Sequence, residues 1–596
     1  MKKIIFLFFL SFISYTYINA QDVRLGYDYF RKGEFKKAAS IYEELYHKNN
    51  RNKTYFTQLL NCYRELEDYT KAEKLVQDKL NLNAKGYLSV EQGYNCQLQN
   101  KKEEAETYYK IALETVEKLP SSAYATGRAF QNNNLLDYAL KTYKKAMKLK
   151  PKMNFNLYIA NIYGEKGDIE NMFNSYISMV ENKANYINTI QRYVSKFVTD
   201  DNQNPNNLLF KNALIKRLQN NPNISWNKLL SWLFMQQKDY HKALIQEQAI
   251  YKQNQSNLNE IFNLAKISQE GRYIQTTINA YTFIIENAAI LSDVLQAKNE
   301  LILVETTTAK TNEDLNSIEE KYKQILAEYG TGSVTVKTQI NYADFLVFSK
   351  NEATKAIAIL NQAKKVASSR FLQGEIKIKL ADVFVFNNKF NQALITYTQV
   401  QTDLRGSEIA QNARLKVAKT SYYKGDFDWA KTQIKVLKTA TSKLISNDAL
   451  KLNLLIGDNI AGDTIRTALK KYAKADLLAF QNKTQQAIDT LTVLLKEHKG
   501  HAIEDEALLK QAELFKKLNQ FVLAENNYIK ITKLKKDGIL ADDAYYELGE
   551  LYTKELNDKE KAKEMYQKII FDYANSIFLV DARKKFRKLR GDIIDE

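Results

Sequence analysis

The amino-acid sequence predicts an all-α superhelical solenoid of antiparallel helical hairpins, on three observations. A small residue recurs at Ala38, Ala72, Ala105, Ala139 and Met172, spaced 34, 33, 34 and 33 apart, and a fixed period near 34 is the signature of stacked two-helix units. Only 4 of the 596 residues are proline, which suits an almost unbroken run of helices, because proline removes a helical hydrogen bond and clashes with the preceding turn. Apolar residues make up 45% of the chain. That suffices for a solenoid, which has no single central core because each repeat packs mainly on its neighbours.

Each element of the hairpin has its own residue logic. The first unit reads Gly26, Tyr29, Gly33, Phe35, Ala38, Tyr42, Leu45, and much of it returns as Tyr63, Tyr69 and Ala72. In the first helix a Gly or Ala precedes an aromatic by three residues (Gly127 with Phe130, Ala160 with Tyr163), with Gly93 at the same place. The two positions share a face, and the small one lets the paired helix approach closely. The turn carries Gly before an acidic residue at Gly33-Glu34, Gly167-Asp168 and Gly425-Asp426, since glycine accepts the left-handed conformation that ends a helix. In the second helix the small residue and an aromatic four positions on (Tyr42, Tyr109, Tyr143, Tyr176) form one apolar stripe, which packs on the next unit.

These spacings resemble the tetratricopeptide repeat, which has a small residue and an aromatic in its first helix, Ala and an aromatic in its second, and a closing proline; Pro151 closes the fourth unit in that way. The resemblance covers 24–180 and resumes at Phe234, Tyr240 and Ala243, then Gly271 and Tyr273. Later units are longer. Ala356, Ala393 and Ala430 are 37 apart, and Ala487, Ala524 and Ala562 are 37 and 38 apart. Several of these lack the glycines, yet Ala381, Phe384, Phe390, Ala393, Tyr397 and Ala512, Phe515, Phe521, Ala524, Tyr528 keep the pattern, and the last unit reads Gly549, Tyr552, Ala562, Tyr566. Beyond it, Asp572, Tyr573, Ser576, Ala582 and Arg583 resemble the extended repeats of bacterial envelope proteins, including the tetratricopeptide lipoprotein of the outer-membrane β-barrel assembly machine.

The rhythm breaks at 181–225, 286–330 and 438–465. Asp200, Asp201, Asn202, Gln203, Asn204, Pro205 and then Asn220, Asn221, Pro222 are loop chemistry between helices. The organisation expected is a signal peptide over 1–20, an N-terminal array over 21–180, a middle segment with an irregular joint over 181–290, and a C-terminal array over 291–596.

Met1-Lys2-Lys3, an apolar run from Ile4 to Ile13 and the close Ile18-Asn19-Ala20 have the charge, apolar length and small final residue of a secretory signal. The rival is a membrane anchor, but the apolar stretch is about ten residues against the roughly 20 a span needs. No cysteine stands near Ala20 to take the lipid of a bacterial lipoprotein. The mature chain is expected in the periplasm, or peripheral at the outer membrane. That compartment permits disulfides. Cys62 and Cys96 fall at adjacent positions of equivalent helices, which leaves open a bridge or two buried thiols.

Formal charge is +18, or +16 without Lys2 and Lys3. In a secreted protein nucleic acid is excluded as the expected partner, and the alternatives are an anionic membrane, an acidic protein face or a solvated lysine-rich surface. The densest cationic cluster is Arg583, Lys584, Lys585, Arg587, Lys588 and Arg590. It would contact an anionic surface, or serve as favourable charge at a helix end and a solubilising cap.

Catalytic chemistry is not legible. The four histidines form no nucleophile-base pattern or zinc motif. His498, His501 and Asp505 would share a face only if one helix held them, and Lys499-Gly500 reads as a loop. No enzyme activity, cofactor or metal is therefore expected. Tetratricopeptide arrays commonly bind through their concave face, and projecting the repeat places Tyr27, Arg31, Asn61, Arg64, Tyr94, Tyr124, Arg128, Gln131 and Asn161 there. Arg with Tyr is a good composition for a contact surface. The family's carboxylate clamp for chaperone tails is incomplete: Asn61, Arg128 and Asn161 take equivalent positions, but Thr57, Val90 and Tyr124 stand where lysines belong. The function expected is a non-catalytic scaffold or assembly adapter in the cell envelope, holding other envelope proteins or extended peptide segments. An accessory subunit of outer-membrane protein assembly or secretion, and a membrane-surface or peptidoglycan-associated organiser, are the alternatives.

Overall fold

The computed structural model describes residues 22–592 apart from 83–84, 183, 256, 440–441, 461–465, 535–537 and 539. The expected signal segment 1–20 and parts of the third irregular stretch lie outside the described residues. Among those described, every regular element is a helix. They form two compact units that divide between Asn257 and Leu258, a division that falls inside the 181–290 segment.

Unit 1 opens with five hairpins: 22–31 with Phe35–Lys48, Lys53–Glu65 with Tyr69–Leu82, Gly86–Leu98 with Lys102–Lys118, Ala123–Asn132 with Leu136–Leu149, and Asn156–Glu165 with Ile169–Asn182. The joint follows as a short helix, Ile187–Val194, a loop, and Pro205–Asn220. Asn204 caps that last helix by accepting from the Asn206 amide at 2.9 Å, with proline in its first turn. The hairpin of Ile224–Gln236 and Tyr240–Asn254 completes the unit.

Unit 2 contains eight hairpins and a terminal helix, Leu579–Arg590. Two of its longer repeats have longer first helices: Arg370–Phe386 and Glu408–Lys424 are 17 residues each, about one turn more than the 13 of Lys53–Glu65. The stretch 286–330 is a hairpin of two 18-residue helices, Leu291–Thr308 and Asn312–Tyr329. In 438–465 an extra helix, Lys443–Asp458, packs on the preceding hairpin, Glu408–Lys424 with Phe427–Lys435.

The packing follows the repeat. Ala38, Ala72, Ala139, Ala393, Ala524 and Ala562 are fully buried, as are Tyr143, Tyr528 and Tyr566. The small first-helix residues meet these tyrosines directly. A methyl group on Gly93 would lie 2.6 Å from the Tyr109 ring, and one on Gly549 2.6 Å from the Tyr566 ring. Thirteen of the fourteen described hairpins turn through one left-handed residue, at 33, 67, 100, 134, 167, 238, 272, 351, 388, 425, 482, 519 and 557. In eleven of them the next residue donates back five positions, as in Asp68 N to Tyr63 O at 2.9 Å and Lys389 N to Phe384 O at 2.8 Å, and after Asn351 and Asn557 it donates back six, hydrogen bonds that close a helix on a left-handed residue. Where that residue is Asp it also caps the second helix: Asp239 accepts from Lys242 N and Asp426 from Trp429 N. The 18-residue hairpin is the exception. It turns through Thr311, whose side chain and that of Asp314 form a capping box.

Candidate partner-binding inner face

In unit 1 the first helices of neighbouring hairpins approach each other more closely than the second helices do where both can be compared, at Gly86–Leu98 with Ala123–Asn132 against Lys102–Lys118 with Leu136–Leu149. The residues projected onto the concave face all lie on these first helices. Their exposed side chains form the candidate surface.

Tyr27 and Tyr124 present about half their surface, at 49% and 51%, and Arg31, Arg128 and Asn161 are also exposed. Tyr124 meets Tyr158 edge to face at 5.4 Å, and Tyr158 stacks on buried Tyr143 at 5.5 Å. That aromatic ladder holds the Tyr124 ring upright on the face. Asn161 accepts from the Tyr176 hydroxyl at 3.2 Å. Asn61, Tyr94 and Gln131 are half-buried, and Gln131 donates to Glu165 across to the next hairpin at 2.7 Å.

Arg64 is turned into the array rather than presented on it. Its side chain is 8% exposed and pairs with Glu91 at 2.9 Å. The guanidinium also donates to Asn95 Oδ1 at 2.7 Å and to the Glu91 carbonyl at 2.8 Å, and it lies over the Tyr94 ring. Asn133, two hairpins on, accepts from Arg64 at 3.4 Å and donates to Glu91 at 3.2 Å. One buried charge pair thus joins three successive first helices. The fork of donors on arginine is what allows it to bond several partners at once.

The inner face of unit 2 is differently built. Asp344 pairs with Lys379 at 2.5 Å and Asp382 with Lys416 at 2.8 Å, each lysine one hairpin further on, and the Tyr397 hydroxyl donates to Asp382. Asp476 and Lys510 repeat the arrangement at 3.2 Å. Burial works against the Lys379 and Lys510 ammonium groups, yet the neighbouring carboxylates outweigh it and hold both above the usual lysine range. The charges on this face are thereby satisfied by one another. At the turn end of the same helices Phe348 meets Phe386 at 5.5 Å and Phe480 at 5.6 Å, while Gln481 donates to the Phe386 carbonyl at 2.8 Å and Asn482 to the Phe348 carbonyl at 2.8 Å. These rings and amides occupy one end of the face themselves.

The remaining candidates fall elsewhere. Cys62 and Cys96 are separate, buried thiols, and burial pushes Cys62 up to about 12, so neither is poised as a thiolate. His498 ends one helix and His501 lies in the loop beyond it, ring centres 6.0 Å apart. Among the described residues no group of three or more His, Cys, Asp or Glu side chains could hold a metal ion. Of the basic cluster, Lys585 points inward to Glu550, Asp581 and the Tyr546 hydroxyl, and Arg587 and Arg590 pair with Asp592. Arg583, Lys584 and Lys588 are exposed.

Projection of the repeat named Asn161 but not Tyr158, which stands on the same helix 34 residues beyond Tyr124. The partners of Arg64 carry no local signal, because those bonds span 27 to 69 positions.

Residues 543–576 match the tetratricopeptide repeat family, which sets one such repeat on helices Ala541–Lys554 and Lys559–Asp572. No curated protein matches the chain. Among solved structures, a Naa15/Naa10 complex bound to HypK-THB shares 11% identity over 96% of both chains with a TM-score of 0.28. The Cut9–Hcn1 hetero-tetramer of the APC/C shares 13% identity over 96% of this chain and 97% of that one, with a TM-score of 0.20. The class defined by the fold is an all-α solenoid of repeated helical hairpins, carrying a tetratricopeptide repeat near its C-terminal end.

Proposed function

We propose that this protein is a non-catalytic scaffold or assembly adapter of the bacterial cell envelope, which holds a helix or extended segment of a protein partner against the inner face of unit 1. The observation that carries the reading is the set of exposed Tyr27, Arg31, Tyr124 and Arg128 on first helices. Rigid aromatic and arginine side chains of this kind supply most of the binding energy at protein interfaces. Their scaffold is preorganised by buried tyrosines and the Arg64 network, so little ordering cost remains for the binding step. The envelope assignment is supported by the signal-like sequence at 1–20 and by the resemblance of Asp572, Tyr573, Ser576, Ala582 and Arg583 to the extended repeats of envelope proteins.

The test is affinity capture from cells expressing the full chain, compared with Tyr124→Ala plus Arg128→Glu, after matching helicity and thermal unfolding. A defined set of envelope proteins is expected with the parent chain and lost from the variant. Equal recovery by both would remove the unit 1 face from the account, and recovery of nothing by either would remove the scaffold reading itself.

A further inference from the structure

The end of the last hairpin concentrates apolar surface in a way the repeat does not require. Among the described residues five large apolar side chains are more than 70% exposed, and three of them, Phe571, Ile577 and Val580, fall within ten residues. Phe571 lies in the last turn of Lys559–Asp572, Ile577 in the connection, and Val580 in the first turn of Leu579–Arg590, so all three occupy the same end of one antiparallel pair. Side chains this exposed protrude and cannot line a pocket.

The tip is already ordered. Phe578 stacks on Tyr546 with ring centres 4.3 Å apart, and Tyr573 packs on Tyr545 at 5.6 Å. The Ser576 amide donates to the Tyr573 carbonyl at 3.0 Å, and the Phe578 amide to Ser576 Oγ at 3.1 Å. Phe578 and Tyr573 thus anchor the connection inward, while Ile577 and Val580 face out. Along the terminal helix, Val580, Arg583, Lys584, Arg587 and Lys588 stand at helical spacing on one exposed stripe, and Ala582, Phe586 and Leu589 form the packed side. The helix dipole accounts for cations near Arg590, but it does not ask for three protruding apolar side chains beside them.

We propose that this end of the chain seats on an anionic lipid surface, with Phe571, Ile577 and Val580 entering the headgroup boundary and the exposed Arg583, Lys584 and Lys588 facing lipid phosphates. Apolar side chains ahead of a basic stripe are the composition of interfacial binding, whose strength adds buried apolar area to attraction for anionic lipid. No described helix is long and apolar enough to cross a membrane. The seat is therefore peripheral, reversible and salt-sensitive. Asp572 is exposed there too and pairs with Lys568 at 3.4 Å, which offsets its charge. This inference does not rest on the partner-binding face of unit 1.

The test is co-sedimentation of the full chain with phosphatidylcholine vesicles, with and without phosphatidylglycerol, at low and high salt. Binding is expected only to the anionic vesicles at low salt. Phe571→Ser, Ile577→Ser and Val580→Ser combined should weaken it about tenfold or more, and Lys584→Glu with Lys588→Glu should abolish it. A polarity-sensitive label on Ile577→Cys should report an apolar environment on binding. These positions are exposed, so helicity and thermal unfolding should match the parent chain. If any variant unfolds, the labelled Ile577→Cys chain decides alone. Absence of vesicle binding, a label that stays in water, or a triple serine variant that binds as well as the parent would overturn the proposal. So would capture of a protein through position 577 by a chain that ignores vesicles.

Discussion

At the residue scale, the turns show how much of a repeat can be read and how. Glycine before an acidic residue marks the turn at Gly33, Gly167 and Gly425, but seven of the thirteen left-handed turns use asparagine at that place: Asn100, Asn134, Asn351, Asn388, Asn482, Asn519 and Asn557 all have positive φ. Asparagine tolerates the left-handed region better than most residues, so a search for Gly alone finds a minority. Glu67, Lys238 and Arg272 have neither advantage. Glu67→Gly should therefore raise stability by about 1 kcal/mol, the cost of a left-handed β-carbon, read as a higher midpoint in urea with unchanged slope. The close-approach glycines behave as the spacing foretells. Gly93→Val should destabilise by about 1–3 kcal/mol, because the Tyr109 ring already fills the space. A companion Tyr109→Leu should recover part of the loss.

Helix by helix, the sequence shows which residues line the first helices and hides which of them the fold uses. Tyr124 and Arg64 look alike in a projection, yet one is half exposed and the other is enclosed by Glu91, Asn95 and Asn133. Arg64→Ala should destabilise the chain by about 3 kcal/mol, since it strands the Glu91 carboxylate in a largely buried site. Removing both partners should cost less than the two single losses combined, and thermal unfolding of the three variants checks it. In unit 2 the extra helix Lys443–Asp458 is tied at its end by Asn459, whose amide donates to Glu506 at 3.2 Å. Burial, then the adjoining Asp505 carboxyl, pushes Glu506 up to about 8, with Asn459 opposing; the tyrosines Tyr422 and Tyr472 face the same carboxyl. An acid that holds its proton more tightly when folded stabilises most at low pH, so this contribution should fade as pH rises from about 4.5 towards 8. Glu506→Gln should flatten that decline and unfold at higher temperature than the parent above pH 8. Identical pH profiles for both chains would contradict the assignment.

For the molecule as a whole, periodicity carried the fold because the hairpins repeat one packing problem, which a buried alanine and tyrosine solve in most of them, with a close-approach glycine in several. The extra helix at Lys443–Asp458 and the long hairpin of Leu291–Thr308 and Asn312–Tyr329 were legible only as lost rhythm, because a unique element has no second copy to reveal its pattern. The two inner faces separate for a physical reason as well. Unit 2 neutralises its face with Asp344, Lys379, Asp382 and Lys416, whereas unit 1 leaves aromatic and cationic side chains exposed.

Site-specific photocrosslinking in intact cells tests the central claim most directly. A photoreactive amino acid replaces Tyr27 or Tyr124 on first helices, or Ile111 on an outward second helix, where 42% exposure gives comparable access. Crosslinking of one common protein from both Tyr27 and Tyr124, and not from Ile111, is the result the account predicts. The same protein captured equally from all three positions, or from Ile111 alone, would contradict it.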